Sequence, residues 1–280
     1  MKIGFIGTGS MGRTLVEAFI RSGKLSPQDL YIHNRTRAKA ELLASEYPGI
    51  HVAADNRELV RQTRCIFLCM KPGEFRRVLE EIRGCTTRDH IVVSITSPVM
   101  IQDLEEWLPA KIAKIIPSIT HAIFSGNSLY IPGSRLTTDD QAWLKDLFSA
   151  ISSPLEVDER HARIASDLAS CSPAFFANMM EKMADAAVEE TGIPRESAIS
   201  LVTQMAQGLG RLLTEGGFTL HTLQQRVAVP GGITREGLEL LEKEVSPIFH
   251  RLIQLTHNKY EEDIEKVQKA LNNRVEKNVP

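Results

Sequence analysis

The sequence predicts an α/β protein in two parts, a doubly wound parallel sheet followed by an all-helical domain. Up to about residue 157, short β-branched or apolar runs alternate with amphipathic stretches, the pattern of a parallel sheet covered by helices on both faces. A glycine-rich loop, Gly7-Thr8-Gly9-Ser10-Met11-Gly12, directly follows the first such run. After Asp158 the strand signals stop, and the chain reads as helix from Glu159 onward. The expected domains are therefore residues 1–157 and 158–280.

The expected strands are Lys2–Ile6, Leu30–His33, Cys65–Met70, Ile91–Thr96, Ile112–Ile116, Ser128–Tyr130 and Leu155–Val157. Helices between them should begin near Met11, Arg37, Asn56, Gly73 and Ile101, and Thr138-Asp139-Asp140 has the form of another capped start. The helical half should break at Gly192-Ile193-Pro194, Glu215-Gly216-Gly217, Pro230-Gly231-Gly232 and Ser246-Pro247. The helix after Pro230-Gly231-Gly232 is expected to run to about Lys243, and the polar end, Asn272 to Pro280, to fray. There is no internal repeat and no low-complexity segment.

Composition narrows the classes of function. With 280 residues, 42% hydrophobic and 24% charged, the chain can bury a sizeable core. No apolar run reaches the ~18 residues that a membrane span requires, and Met1-Lys2-Ile3-Gly4-Phe5 leads straight into a strand rather than a signal peptide. A cytoplasmic protein is expected. The four cysteines, Cys65, Cys69, Cys85 and Cys171, lack the spacing of zinc or redox pairs, and no metal is implied. A net charge of −2, with both signs mixed along the chain, leaves no electrostatic footprint for nucleic acid or an anionic membrane. In the helical half, Ala174–Val188 carries apolar, often small residues on most faces, so burial on more than one side is expected. A second copy of the chain would supply that burial, which predicts a homodimer.

The glycine loop stands between a strand and a helix, the context in which G-x-G-x-x-G reads as a Rossmann-type dinucleotide site. Gly7 permits the turn, Gly9 lets the backbone approach a pyrophosphate, Gly12 lets the helix pack on the strand, and free N–H groups at the helix start attract phosphate. NAD-selective domains carry an acidic residue at the end of the second strand. Here that place reads His33-Asn34-Arg35-Thr36. With no carboxylate there, with Arg35 able to pair with a 2′-phosphate and with Asn34 and Thr36 able to donate hydrogen bonds, NADPH is favoured over NADH. Arg35 as a plain solvated residue is the alternative. Met70, Lys71 and Pro72 fall at the carboxyl end of a strand, where such sheets bind ligands, or form only a strand-ending turn.

A second motif, Val229-Pro230-Gly231-Gly232-Ile233-Thr234, precedes a helix. Successive N–H groups of such a turn suit a carboxylate as well as a phosphate. Thr234 lies in the first helical turn, where its hydroxyl can cap the helix or meet a ligand; spacing alone favours the cap.

Taken together, the glycine loop, Asn34-Arg35-Thr36, Lys71-Pro72, Ser94-Ile95-Thr96, Ser172-Pro173-Ala174-Phe175 and Pro230-Gly231-Gly232 with Thr234 occur in an order that resembles the pyrroline-5-carboxylate reductase family over about residues 1 to 265. The resemblance implies an NADP-binding Rossmann domain, a helical dimerisation domain that interlocks with a second subunit, and hydride transfer from NADPH to a cyclic imine, giving proline. It also implies roles for residues. Gly231, Gly232 and Ile233 would offer N–H groups to the substrate carboxylate, and Thr234 matches the threonine whose hydroxyl faces the ring nitrogen.

Three places depart from the family pattern. Val229 stands where a serine is usual, Ser118-Ile119-Thr120 replaces an Asn-Thr-Pro after Pro117, and Ala169-Ser170-Cys171-Ser172-Pro173-Ala174 replaces Ser-Gly-Ser-Gly-Pro-Ala. Each lost side-chain hydrogen bond to a buried ligand costs about 1–3 kcal/mol. Ile116-Pro117-Ser118-Ile119-Thr120, Ser94-Ile95-Thr96-Ser97-Pro98 and Ser170-Cys171-Ser172-Pro173-Ala174-Phe175 resemble the family branch encoded in the late competence operon of bacilli. Membership there implies either a reductase acting on a related imine or an NADP(H)-binding protein with a developmental or regulatory role. A β-hydroxyacid dehydrogenase, which places a lysine four residues before an asparagine on its interdomain helix, fits poorly, because Asn178 precedes Lys182 here.

Overall fold

The computed structural model describes residues 1–272. Its first part is an eight-stranded sheet: β1 (Ile3–Ile6), β2 (Leu30–His33), β3 (His51–Val52), β4 (Cys65–Leu68), β5 (Ile91–Ser94), β6 (Lys111–Ile116), β7 (Asn127–Pro132) and β8 (Ser153–Glu156). The order is β3-β2-β1-β4-β5-β6-β7-β8, with neighbours parallel except for the antiparallel pair β6 and β7. The chain starts at β1, moves outward to β3, and returns to the other side of β1 at β4. That reversal makes a topological switch point between β1 and β4, the position at which open α/β sheets bind ligands.

Six helices cover the sheet: α1 (Ser10–Arg21), α2 (Arg37–Glu46), α3 (Asn56–Gln62), α4 (Phe75–Ile82), α5 (Ile101–Trp107) and α6 (Thr138–Ser149). Strands β1, β4 and β5 are buried at every residue, as parallel strands between two helical layers must be. On one face Phe5 stacks on Phe67 with ring centroids 4.6 Å apart, and Phe19 meets Phe148 edge-on at 5.3 Å. On the other, Ile66, Leu68 and Val92 pack with Phe75 and Leu79 of α4. The α/β expectation is met, with several boundaries moved. Cys69-Met70 and Ile95-Thr96 lie beyond the ends of β4 and β5, and a 3-10 turn, Pro72–Glu74, precedes α4. The two residues of β3 were not anticipated; a pair too short to show alternation leaves no periodic signal.

Beyond β8 come α7 (Ala162–Ser166), a π-helical turn over Asp167–Cys171, α8 (Ser172–Thr191), α9 (Arg195–Thr214), α10 (Leu220–Val227) and α11 (Ile233–Asn272). Three of the four expected breaks separate these helices. The fourth is corrected: Pro247 lies inside α11, which continues far past Lys243. Pro247 and Lys243 are both exposed, so the carbonyl that the proline ring deprives of its N–H partner can turn to water. The expected fraying concerns residues outside the described ones, apart from Asn272, which is helical.

The chain divides into two compact units, Ser172–Leu255 and the remainder. The end of α11 belongs with the sheet: Val267 and Leu271 are buried in its second core, and Tyr260 donates to the Ser97 carbonyl at 3.3 Å. Thr256 donates to buried Asp167 at 2.7 Å, which also holds Arg163 at 2.5 Å. Lys114 on β6 is wholly buried, with Nζ 2.5 Å from Glu159 and 3.0 Å from the Ser97 carbonyl. Desolvation lowers its pKa, opposed by the Glu159 charge.

Candidate functional site

The glycine loop leaves β1 and enters α1 as the motif requires. Gly7 has φ +99°, and a Cβ there would fall 2.3 Å from the Cys69 carbonyl oxygen, so no other residue fits. A Cβ on Gly12 would lie 2.2 Å from the Gly7 carbonyl oxygen. Gly9 faces open space instead. The loop is held by Gly7 N–H to the His33 carbonyl (2.8 Å), Cys69 N–H to the Ile6 carbonyl (2.8 Å) and Thr8 N–H to Asn34 Oδ1 (3.0 Å). Asn34 in turn donates to the Thr36 carbonyl at 3.0 Å. At the start of α1, no side chain caps the helix and no acidic residue sits in the first turn, which leaves the N–H groups and the positive dipole end for an anion.

Gly7, Gly9, Asn34, Arg35, Thr36, Met70 and Lys71 line one cleft at the carboxyl ends of β1, β2 and β4. Thr8, Ser10, Met11, Gly12 and Pro72 do not line it, but they belong to the loop, the α1 start and the turn that bound it. Sequence reading missed three lining charges, Lys39, Glu74 and Arg77. Lys39 carries a faint local signal, since it lies three residues past Thr36 on the same helical face. Glu74 and Arg77 come from a loop and helix remote in sequence, with no local signal. The cleft thus gathers four cations, Arg35, Lys39, Lys71 and Arg77, against one carboxylate, Glu74. Arg35 Nη1 is 2.6 Å from Glu74, and that hydrogen bond holds the Glu74 carboxyl below its usual range.

The buried Thr8 hydroxyl has no protein partner among the described residues. An unpartnered buried hydroxyl in a loop whose amides face an anion site suits a ligand oxygen. The residues present therefore fit a dinucleotide.

The segment after β6 accounts for one departure from the family pattern. Buried Ser118 N–H donates to His121 Nε2 at 3.2 Å, and Ser118 Oγ accepts from Thr120 N–H, so the turn closes on itself. Because Nε2 accepts, the proton of the neutral ring sits on Nδ1, 3.2 Å from the Ser125 carbonyl. Burial lowers the His121 pKa. Ser170, in the π-helical turn, donates to the Pro117 carbonyl at 2.8 Å and ties the two altered segments together.

Val229 to Thr234 form one turn at the start of α11, in the other compact unit. Gly231 has φ +73°, and Gly232 N–H is engaged by the Val229 carbonyl at 3.0 Å. Ile233 is 93% exposed. Thr234, in the first turn of α11, is exposed.

Among the described residues no cluster of His, Cys, Asp or Glu could hold a metal ion, and no helix is long and apolar enough to cross a membrane.

A doubly wound sheet with this loop at its switch point, followed by a helical unit, defines a two-domain dinucleotide-dependent oxidoreductase. Residues 159–263 match the family described as pyrroline-5-carboxylate reductase dimerisation, and residues 2–98 the family described as NADP oxidoreductase, coenzyme F420-dependent. The chain is 42% identical to ComE operon protein 4 of Bacillus subtilis, covering 96% of this chain and 98% of that one. It is 30% identical to pyrroline-5-carboxylate reductase 3 of the same organism, with the same coverage. The fold is similar to that of the Plasmodium falciparum pyrroline carboxylate reductase solved with NADP bound, at a TM-score of 0.80 and 24% identity over 96% of this chain and 98% of that one. The chain belongs to the pyrroline-5-carboxylate reductase family.

Proposed function

We propose that the chain is an NADPH-dependent reductase that converts 1-pyrroline-5-carboxylate, or a related cyclic imine, to the corresponding amine, L-proline in the first case. The observation that carries this reading is the cation-rich cleft around Arg35, with the orphaned Thr8 hydroxyl and the uncapped α1 start beside it. A nicotinamide held in this cleft would supply the hydride for the imine carbon, the imine nitrogen carrying the proton. The chain's own residues bind and orient: the α1 N–H groups take the pyrophosphate, Arg35 with Asn34, Thr36 and Lys39 takes the 2′-phosphate end, and Lys71 with Met70 and Pro72 borders the cleft. Gly231 and Ile233 offer N–H groups to the substrate carboxylate, Gly232 shapes their turn, and Val229 closes over it. Thr234 would hold its hydroxyl toward the ring nitrogen, so catalysis would rest on positioning and electrostatics.

A homodimer in the cytoplasm completes the proposal. Residues 159–263 match a dimerisation family, and the unit from Ser172 to Leu255 exposes Met183, Leu201, Leu220 and Leu255 at more than 60% each. It also carries an apolar groove lined by Phe176, Met179, Leu241, Phe249 and Ile253. The relative named for the ComE operon, together with the substitution of Val229 for serine, favours one second reading: a cofactor-binding protein with a role in competence and little proline-forming activity.

NADPH oxidation by the purified protein with 1-pyrroline-5-carboxylate, run beside a cofactor titration, separates the two. Turnover of about 1 per second or more supports proline synthesis. Tight NADPH binding without turnover on this substrate transfers the weight to another imine or to the regulatory reading.

A further inference from the structure

Arg35, the guanidinium assigned to the 2′-phosphate, is already occupied. Glu74, on the turn after Lys71, places one carboxylate oxygen 2.6 Å from Arg35 Nη1 and the other 3.4 Å from Arg77 Nη2. Arg77 has a second carboxylate, Glu81, at 2.6 Å; Arg35 has no other acidic partner among the described residues. The Glu74 side chain is 32% exposed and that of Arg35 71%, so the carboxylate is the better-seated member of the pair. Domains selective for NAD hold the ribose hydroxyls with an acidic residue at the end of β2. This chain has none there, but Glu74 brings a carboxylate to the same loop from 39 residues away.

We propose that Glu74 sets the choice between NADPH and NADH, a reading that rests on the dinucleotide assignment of the cleft. When NADPH binds, its 2′-phosphate takes Arg35 and must displace the carboxylate, because two anions on one guanidinium repel each other. When NADH binds, the Arg35–Glu74 pair stays closed and the carboxylate accepts a hydrogen bond from the ribose 2′-hydroxyl. Glu74 therefore lowers affinity for NADPH and supports NADH, which narrows a selectivity that Arg35 alone would make steep.

The test is a fluorescence titration of the full-length protein with NADPH and with NADH, on wild type, Glu74→Gln, Arg35→Gln and the double variant. Thermal unfolding of each confirms a folded protein. Glu74→Gln keeps size and removes charge. It should tighten NADPH about tenfold and weaken NADH severalfold, so that the affinity ratio moves toward NADPH by more than an order of magnitude. In the Arg35→Gln background, removing the Glu74 charge should no longer show this coupling, since the shared guanidinium is gone. A ratio that stays put or moves toward NADH in Glu74→Gln, while wild type binds NADPH, overturns the role of Glu74 and leaves the cofactor reading intact. A wild type that binds neither dinucleotide overturns both.

Discussion

Helices α1 and α9 carry apolar stripes of the same kind and meet opposite fates. In α1, Leu15, Val16 and Phe19 are wholly buried against the sheet. In α9, Leu201, Met205, Leu209 and Leu212 follow at helical spacing on one face and stay 62, 48, 38 and 40% exposed, with Ala198 alone buried in twenty residues. The same contrast runs through the units. The sheet unit closes two cores around its strands, whereas the helical unit leaves Met183, Ile233 and Leu255 largely in water. The lesson is that amphipathicity reports only that a face wants cover. Contiguous apolar faces of this extent are rare on free-standing proteins and mark interfaces. The sheet unit closes its own cores, and the helical unit leaves apolar side chains exposed among the described residues.

Damage to the helical unit should therefore alter assembly and turnover, and damage to the sheet unit should alter folding. The largest effect is expected for the pair Leu201→Glu with Met205→Glu, which puts two carboxylates into the exposed stripe. Dimer affinity should fall at least about a hundredfold, read by light scattering across a dilution series. A dimer that survives both charges would move the interface off α9. Next, Glu159→Ala strands the buried Lys114 ammonium and removes the acceptor of the Ile101 N–H. A loss of about 3 kcal/mol in denaturant unfolding is expected, much of it recovered by adding Lys114→Met. Equal stability of Glu159→Ala and wild type would show that water reaches the pair. Thr234→Ala should cost about 1–3 kcal/mol in kcat/KM for whichever imine is reduced, with unfolding unchanged because the residue is exposed. Full turnover in that variant would remove Thr234 from the site.

The smallest effect is a pH dependence in the sheet unit. Folded His121 has a lowered pKa, so as pH falls below the ordinary histidine value near 6.5 the unfolded chain takes up a proton that the folded chain refuses. The stability contributed by neutral His121 is present above that pH and is lost toward the lower folded value. The thermal midpoint of wild type should therefore fall more between pH 7 and 5 than that of His121→Gln. Parallel midpoints for the two would show that the Ser118–His121 turn opens without cost.

Part of this is legible in the sequence alone. Three glycines between a run of β residues and an amphipathic helix can do little else, since Gly7 and Gly12 leave no room for a side chain and the start of a helix attracts anions. The missing acid at the end of β2 was equally local. So was the family likeness, because it rests on the order of short motifs. What was not legible depends on distance along the chain. Glu74 reaches Arg35 across 39 residues, and β3 exists only because Tyr31 offers His51 a partner.

The sequence by itself determined the alternation of strand and helix, the dinucleotide loop and the Pro-Gly-Gly turn, because each is a matter of backbone freedom and side-chain period over a few residues. The tertiary structure decided that α11 runs through Pro247 and returns to the sheet at Thr256, that Glu74 occupies the guanidinium of Arg35, and that the stripe on α9 stays largely exposed among the described residues. Those outcomes are settled by which surfaces meet, and short-range pattern carries no record of that.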